Sequence, residues 1–168
     1  MGAENGASNE LPVHKVYLNS FYIDKTEVTN AMYKLCVDTR VCSLPSNEEF
    51  YRKAHYIDYP VVYVSWHDAK KYCEWAGQRL PTEAEWEKAA RGTDGRTYPW
   101  GNGIDCRKAN YGACFGSMRS VGFYTDVPSP YGALDMVGNA WEWVSDWYGE
   151  LYYANSPYEN PQGPIDGE

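Results

Sequence analysis

The chain has 168 residues, a formal net charge of −8 at pH 7, and a composition of 43% hydrophobic and 23% charged residues. This length and composition are typical of a single globular domain with a substantial core, and they exclude a disordered chain. The acidic balance excludes nucleic-acid binding through a basic surface. No apolar run approaches the roughly 18 residues of a membrane span, and the first ten residues lack the pattern of a signal peptide.

The predicted elements begin with residues 13–24, where apolar and polar side chains alternate as in one or two β-strands. Thr26 or Thr29 can cap the helix that follows. Residues 43–60 read as a loop, and residues 61–66 predict a short buried strand.

Two helices follow in close succession. Ser65 is placed to cap the first of them, and Gly77 to end it in a left-handed conformation. Thr82 and Glu85 match the T-x-x-E capping box of the second, which Gly92 ends.

The remainder of the chain is predicted to be largely irregular. Residues 92–134 are rich in Gly, Asp and Pro, and the tail after residue 148 shows no period. Between them, residues 140–148 favour a strand by composition and alternation. The sixteen Tyr and seven Trp of the chain, with fifteen Gly and ten Pro, predict a loop-rich domain in which aromatic rings support irregular backbone.

The five cysteines include two closely spaced pairs. Cys36 and Cys42 are six residues apart and Cys106 and Cys114 are eight apart, which predicts two local disulfides with Cys73 left over. These disulfides favour a periplasmic or extracellular location. Five reduced thiols are the alternative. The absence of a CxxC pair makes a zinc knuckle improbable.

Two carboxylates flank the short sequence "MVGNA". Asp135 precedes it and Glu142 follows it, and the turn between them offers backbone carbonyls. An oxygen-only set of this kind is what calcium prefers. A solvated glutamate on a strand is an equally good interpretation, since Glu142 then shares a face with Ala140 and not with Trp141 and Trp143.

Several strings resemble the sulfatase-modifying-factor family, the domain of the formylglycine-generating enzyme. They are "FYIDKTEVTNAMY", "RLPTEAEWE", "YPWGN" and "GNAWEWVSDW", in family order over nearly all of residues 1–168. The resemblance implies one α+β domain with the C-type-lectin-like fold, in which short strands and a few helices are joined by much irregular chain. It also implies that the C-terminal part of the family domain is missing here.

The resemblance also implies a set of calcium ligands. The first site would use a side-chain oxygen of Asp135, the carbonyls of Gly138 and Ala140, and the side chain of Glu142. In that arrangement Glu142 faces the metal while its two tryptophan neighbours face the core. A second site would begin at Asn110 and Tyr111, but its later acidic ligand has no counterpart in "GACFGSMRSVG".

The family activity is a copper-dependent oxidation of a cysteine to formylglycine in a substrate protein or peptide. Two thiolates hold Cu(I), a soft ion that prefers such ligands. The family's cysteine pair follows a "GGSW"-like motif, and this chain stops about where that segment would begin. None of its five cysteines matches a copper position. Copper is therefore expected only if the missing segment supplies the pair, and the chain as it stands is not expected to be competent.

Two other functions remain open. The first is a non-catalytic lectin-like binding or accessory module, as found in kinases and surface proteins. The second is the partner domain of an iron-dependent sulfoxide synthase, which would need an additional N-terminal helical bundle. The fold does not decide among these functions, because function depends on the site that the fold carries.

Overall fold

Short helices joined by long irregular segments make up the computed structural model, which describes residues 1–4, 6–112 and 114–167. In this part of the chain α1 spans Asn30–Asp38, α2 spans Trp66–Trp75, α3 spans Glu83–Arg91 and α4 spans Tyr152–Asn155. Two 3-10 turns cover Ser8–Glu10 and Ala54–Tyr56. No helix among the described residues has the length and apolar character that crossing a bilayer requires.

Side-chain caps begin the three longer helices. The hydroxyl of Thr29, one of the two predicted caps, accepts a hydrogen bond of 3.1 Å from the Met32 amide at the start of α1. Ser65 caps α2 and forms a reciprocal capping box with Asp68. Both predicted caps are confirmed. They satisfy backbone amides that a helix otherwise leaves unpaired in its first turn.

The capping box of α3 is also confirmed. The Glu85 amide donates to the Thr82 hydroxyl at 3.2 Å, and the Glu85 carboxylate accepts from the Thr82 amide at 2.9 Å. Gly92 follows the helix with φ of 72°, and Gly77 follows α2 with φ of 74°. Gly77 has the positive φ that was predicted for it, and Gly92 ends α3 as predicted, with a ψ of −144°.

The predicted strands over residues 13–24, 61–66 and 140–148 are wrong, because the described chain contains only isolated β-bridges. Tyr17 bridges to Glu159 and Thr29 to Pro60. A strand requires a continuing ladder of hydrogen bonds to a neighbour, and these segments make only scattered backbone bonds. The loop-rich prediction is confirmed, while the strand content expected of an α+β domain is confined to these bridges. The one-turn helix α4 was not predicted.

Both predicted disulfides are present. The Cα atoms of Cys36 and Cys42 are 5.3 Å apart and those of Cys106 and Cys114 are 5.4 Å apart, within the range that a disulfide needs. Cys73 is the free thiol among the described residues and is partly buried. The first disulfide belongs to a core cluster with Tyr33 of α1 and Tyr72 of α2, so it links the end of α1 to the packing of the two helices.

A second core cluster carries the chain toward the candidate site. Ala89 and Ala90 of α3 pack with Ala133 and Met136, the residues on either side of Leu134 and Asp135. The Leu134 amide donates to the Lys25 carbonyl at 2.7 Å. Helix α3 and the segment before α1 therefore fix where the predicted calcium-binding turn begins.

Replacing Thr82 by alanine should lower the free energy of unfolding by about 1 to 2 kcal/mol, because the cap of α3 is lost at a buried position. Thr82→Ser is the matched control, since it keeps the accepting hydroxyl and should lose much less. Urea unfolding followed by circular dichroism measures both variants. Equal stability of the alanine and serine variants would contradict the role of the hydroxyl.

Candidate metal site

The turn between Asp135 and Glu142 is built from left-handed residues. Asp135, Gly138 and Asn139 have φ values of 55°, 79° and 61°. A side chain at Gly138 would collide with the carbonyl of Asn110, so glycine is required there by close approach as well as by conformation. The turn lies directly against Asn110, to which Gly138 is bridged.

Asp135 is buried, with 9% of its surface exposed. Its Oδ2 atom accepts a short hydrogen bond of 2.5 Å from the Gly122 amide. Burial raises the pKa of the Asp135 carboxyl, and the Gly122 amide opposes that rise. The carboxylate is therefore held in a fixed orientation at a place that disfavours its charge.

Glu142 accepts a hydrogen bond of 2.6 Å from the indole nitrogen of Trp86, a residue of α3. The Glu142 side chain lies in the wall of a large cavity that is open to solvent. It is therefore exposed to solvent, although many protein atoms lie around its carboxyl group. Burial raises the pKa of Glu142, the Trp86 indole opposes the rise, and the charge of Asp135 adds to it. That Asp135 and Glu142 bind one cation together stays a prediction.

The expectation that Trp141 and Trp143 face the core is wrong. Trp141 is fully exposed, and Trp143 is about half exposed with its indole donating to the Val64 carbonyl at 3.1 Å. The expectation assumed the regular alternation of a strand, and no strand forms here. The tryptophan that contacts Glu142 comes from α3 instead.

Glu27 is a third carboxylate at this place, and the sequence reasoning missed it. Its Oε1 atom accepts a hydrogen bond of 2.8 Å from the Asn139 amide group. Its Oε2 atom is buried and has no hydrogen-bond partner among the described residues. Burial raises the pKa of Glu27 to about 8, and the charges of Asp135 and Glu142 contribute to the rise. Nothing in the sequence around Glu27 distinguishes it from other glutamates.

Asn139 joins the segments that form the site. Its Oδ1 atom accepts from the Arg119 amide at 2.8 Å and from the Asn110 side chain at 3.3 Å. Its Nδ2 atom donates to Glu27 and, at 3.3 Å, to the Arg119 carbonyl. Its backbone amide donates to the Asn110 carbonyl at 2.8 Å. One side chain therefore sets the relative positions of three segments that are distant in sequence.

The two residues predicted to begin a second calcium site lie beside the first. The Asn110 side chain also donates to the Ser117 carbonyl at 3.0 Å, and the Tyr111 carbonyl accepts from the Cys114 amide at 3.1 Å. Asn110 and Tyr111 lie against the turn at Gly138. The stretch after them includes Ala113, which lies outside the described residues, and the second site stays a prediction without an acidic ligand.

The residues present fit a hard cation better than copper. Carboxylates and carbonyls are oxygen ligands, which calcium prefers, and the buried Oε2 of Glu27 has no hydrogen-bond partner among the described residues. Copper(I) requires thiolates, but four of the five cysteines form disulfides. Within the ranges 1–4, 6–112 and 114–167, no three His, Cys, Asp or Glu side chains meet as a metal-binding group.

A cavity of about 1210 Å³ lies next to the turn. Aromatic and aliphatic side chains line most of it, including Trp86, Met136 and Trp143, and Glu27 and Glu142 lie in its wall. The cavity exceeds the usual range for a small-molecule site, about 300–1,000 Å³. Its charged lining residues include Arg79 as well as Asp24, Glu27 and Glu142.

Asn139 joins Glu27 to the loop that carries Asp135 and Glu142, so the class of this protein is a loop-built domain with acidic and aromatic side chains around one loop. The chain belongs to the sulfatase-modifying-factor family, because the family profile described as "Sulfatase-modifying factor enzyme 1-like domain" matches residues 1–165. Membership implies the lectin-like fold of the formylglycine-generating enzyme.

Named relatives of two kinds resemble the chain. It is 37% identical over 188 residues to "Serine/threonine-protein kinase pkn1" of Chlamydia pneumoniae, a match that covers 99% of the chain and 29% of the kinase. It is 34% identical over 215 residues to "Formylglycine-generating enzyme" of Streptomyces coelicolor, covering 96% of the chain and 68% of that enzyme. It is also 45% identical over 103 residues to "Inactive C-alpha-formylglycine-generating enzyme 2" of Bos taurus, covering 55% and 34%. The chain thus spans less than a third of the kinase.

Stability of the calcium-free protein should fall as the pH rises from about 5 to about 8. Glu27 keeps its proton up to about pH 8 in the folded state but releases it near the ordinary pKa of 4.5 when unfolded. The folded state therefore binds more protons in this interval, and the free energy of unfolding decreases with rising pH. Thermal unfolding in a chelating buffer measures the effect.

Glu27→Gln keeps an acceptor for Asn139 and should reduce this pH dependence. The remaining slope comes from Asp135 and Glu142, whose pKa values are raised in the same direction. Glu49→Gln is the control, because Glu49 is exposed and its change alters the same formal charge at the surface. A pH profile that Glu27→Gln leaves unaltered would remove Glu27 as the cause.

Proposed function

We propose that this chain is a calcium-binding domain of the formylglycine-generating-enzyme type that does not itself oxidise cysteine. The observation that carries the proposal is the grouping of Glu27, Asp135 and Glu142, three carboxyls whose pKa values are all raised by burial. Like charges in a buried place oppose ionisation. A divalent cation offsets their repulsion and lets the carboxylates ionise.

Four oxygen ligands are proposed for this cation. Asp135 and Glu142 supply carboxylate oxygens, and Gly138 and Ala140 supply carbonyls. The Gly138 carbonyl already accepts from the Ala140 amide at 2.8 Å, and a carbonyl oxygen has a second lone pair for a ligand. Calcium takes six to eight oxygens, so water would complete the set. When bound, calcium supplies positive charge that stabilises the turn.

Calcium should raise the thermal stability of the protein, because a ligand that binds only the folded state stabilises it by about 2.7 kcal/mol at one hundred times its Kd. Glu142→Ala should abolish this gain by removing a ligand. Glu150→Ala, an exposed site outside the turn, is the control and should keep it. A melting temperature that responds to neither calcium nor chelator would remove the site.

The state of its own cysteines supports the proposal that the chain does not oxidise a substrate cysteine. Two thiolates within reach of one copper ion are needed, and the disulfides occupy Cys36, Cys42, Cys106 and Cys114. Cys73 is partly buried and burial raises the pKa of its thiol, which disfavours the thiolate. The relative from Bos taurus whose name describes it as inactive indicates that family members without this activity exist.

The 168-residue chain should not form formylglycine when it is given Cu(I), oxygen and a Cys-x-Pro-x-Arg peptide. Mass spectrometry of the peptide detects the aldehyde, and a reaction with copper but no protein is the control. Turnover above that control would show that the active site has been misplaced. No turnover, with activity restored by a natural C-terminal extension, would assign the oxidation to an enzyme longer than this chain.

A second candidate function is a non-catalytic binding or accessory module. The match to a protein named as a kinase over 99% of this chain favours it, as does the large, mostly apolar cavity. In either function we propose a cysteine-containing protein or peptide as partner. The two disulfides support a periplasmic or extracellular location, where such bonds persist. Peptide binding without turnover distinguishes the module from the enzyme.

A further inference from the structure

We propose that Glu27 is a working part of the cation site, in which Asn139 holds its carboxylate so that its negative charge strengthens binding and favours ions of higher charge. This inference rests on the proposed calcium site and adds to it a residue from the other end of the chain. Glu27 acts as a positioning and electrostatic residue and is not one of the four ligands.

The placement of Glu27 depends on Asn139. The Asn139 side chain uses both of its polar atoms, with Oδ1 accepting from the Arg119 amide and Nδ2 donating to Glu27 Oε1 at 2.8 Å. Because Asn139 lies between Gly138 and Ala140, the residue that holds Glu27 also separates the two proposed carbonyl ligands. Glu27 and the turn therefore form one connected unit.

The charge of Glu27 reaches the site. Asn139 of the turn donates to its Oε1 atom at 2.8 Å, and the charges of Asp135 and Glu142 contribute to the rise in the pKa of Glu27. Its Oε2 atom is buried and has no partner among the described residues. Such an atom gains from a nearby cation, because the interaction of charges is strong where water is largely excluded.

A role outside the ligand set follows from the geometry. The side chain of Asn139 holds Glu27 Oε1 at 2.8 Å, and Glu27 does not belong to the turn that carries the four proposed ligands. Glu27 therefore influences the ion through its field and through Asn139. An effect of this kind scales with the charge of the ion, which separates it from a merely structural contribution.

Terbium luminescence gives a direct measurement. Trp86 donates to Glu142 at 2.6 Å, so it lies next to the proposed site and can sensitise the emission of bound Tb³⁺. Titrations at about pH 8, where much of Glu27 is ionised before the ion binds, give the Tb³⁺ affinity. Competition by Ca²⁺ gives the calcium affinity in the same samples.

Glu27→Gln should weaken calcium binding about tenfold and terbium binding about thirtyfold, because the lost interaction is proportional to ion charge. Glu83→Gln is the matched control, since Glu83, like Glu27, is a partly buried carboxyl with a raised pKa but contacts Tyr153 instead of the turn. It should change neither affinity. Equal losses for the two ions in Glu27→Gln, or none, would overturn the inference.

Glu142→Gln separates this inference from the function on which it rests. If the natural protein binds neither ion, the calcium site itself fails and this inference fails with it. A second outcome is that the natural protein binds both ions, that Glu142→Gln abolishes binding, and that Glu27→Gln has no effect. In that case the calcium site stands and only the role of Glu27 is refuted.

Asn139→Gly tests the hydrogen bond between Asn139 and Glu27. This variant also replaces Glu27→Gln in the experiment if Glu27→Gln does not fold. Glycine accepts the φ of 61° at this position while removing the amide that holds Glu27. It should weaken terbium binding more than calcium binding. In the Asn139→Gly background, Glu27→Gln should cost less than it does alone. Additive effects of the two changes would contradict the link between these residues.

Discussion

The left-handed turn at Gly138 and Asn139 is the constraint on which the site depends. Gly138 allows the turn to lie against the Asn110 carbonyl, where no side chain has room. The Asn139 amide then binds the backbone of Arg119 and the carboxylate of Glu27. Loops without sheet pairing have few backbone hydrogen bonds to fix them, so one fully used side-chain amide has a large influence on their arrangement.

Burial of like charges gives this site its chemical character. The raised pKa values of Glu27, Asp135 and Glu142 show that the fold holds three acids where ionisation is disfavoured. Such an arrangement reduces the stability of the protein without a cation. In the proposed cation-bound state the repulsion between the acids would be relieved, so binding would restore this stability.

A cavity of about 1210 Å³ lies beside the turn and is open to solvent on one side, so it is a cleft and not an enclosed void. The full exposure of Tyr22 and Trp141, two aromatic residues of its lining, fits a surface that binds another segment.

The sequence by itself determined the features that depend on near neighbours. Ser65 and Thr82 cap their helices because a cap involves amides only three residues away, and the disulfides close loops of six and eight residues. The family was also readable from short strings. Only the tertiary structure decided that Trp86 contacts Glu142 across 56 residues and that Glu27 joins the turn across 112. These contacts depend on the path of irregular loops. The sequence of such loops has no repeating hydrophobic pattern from which the path could be predicted. The expected strands failed for the same reason, because alternation records which residues resemble a strand and not whether a neighbouring strand exists to pair with them.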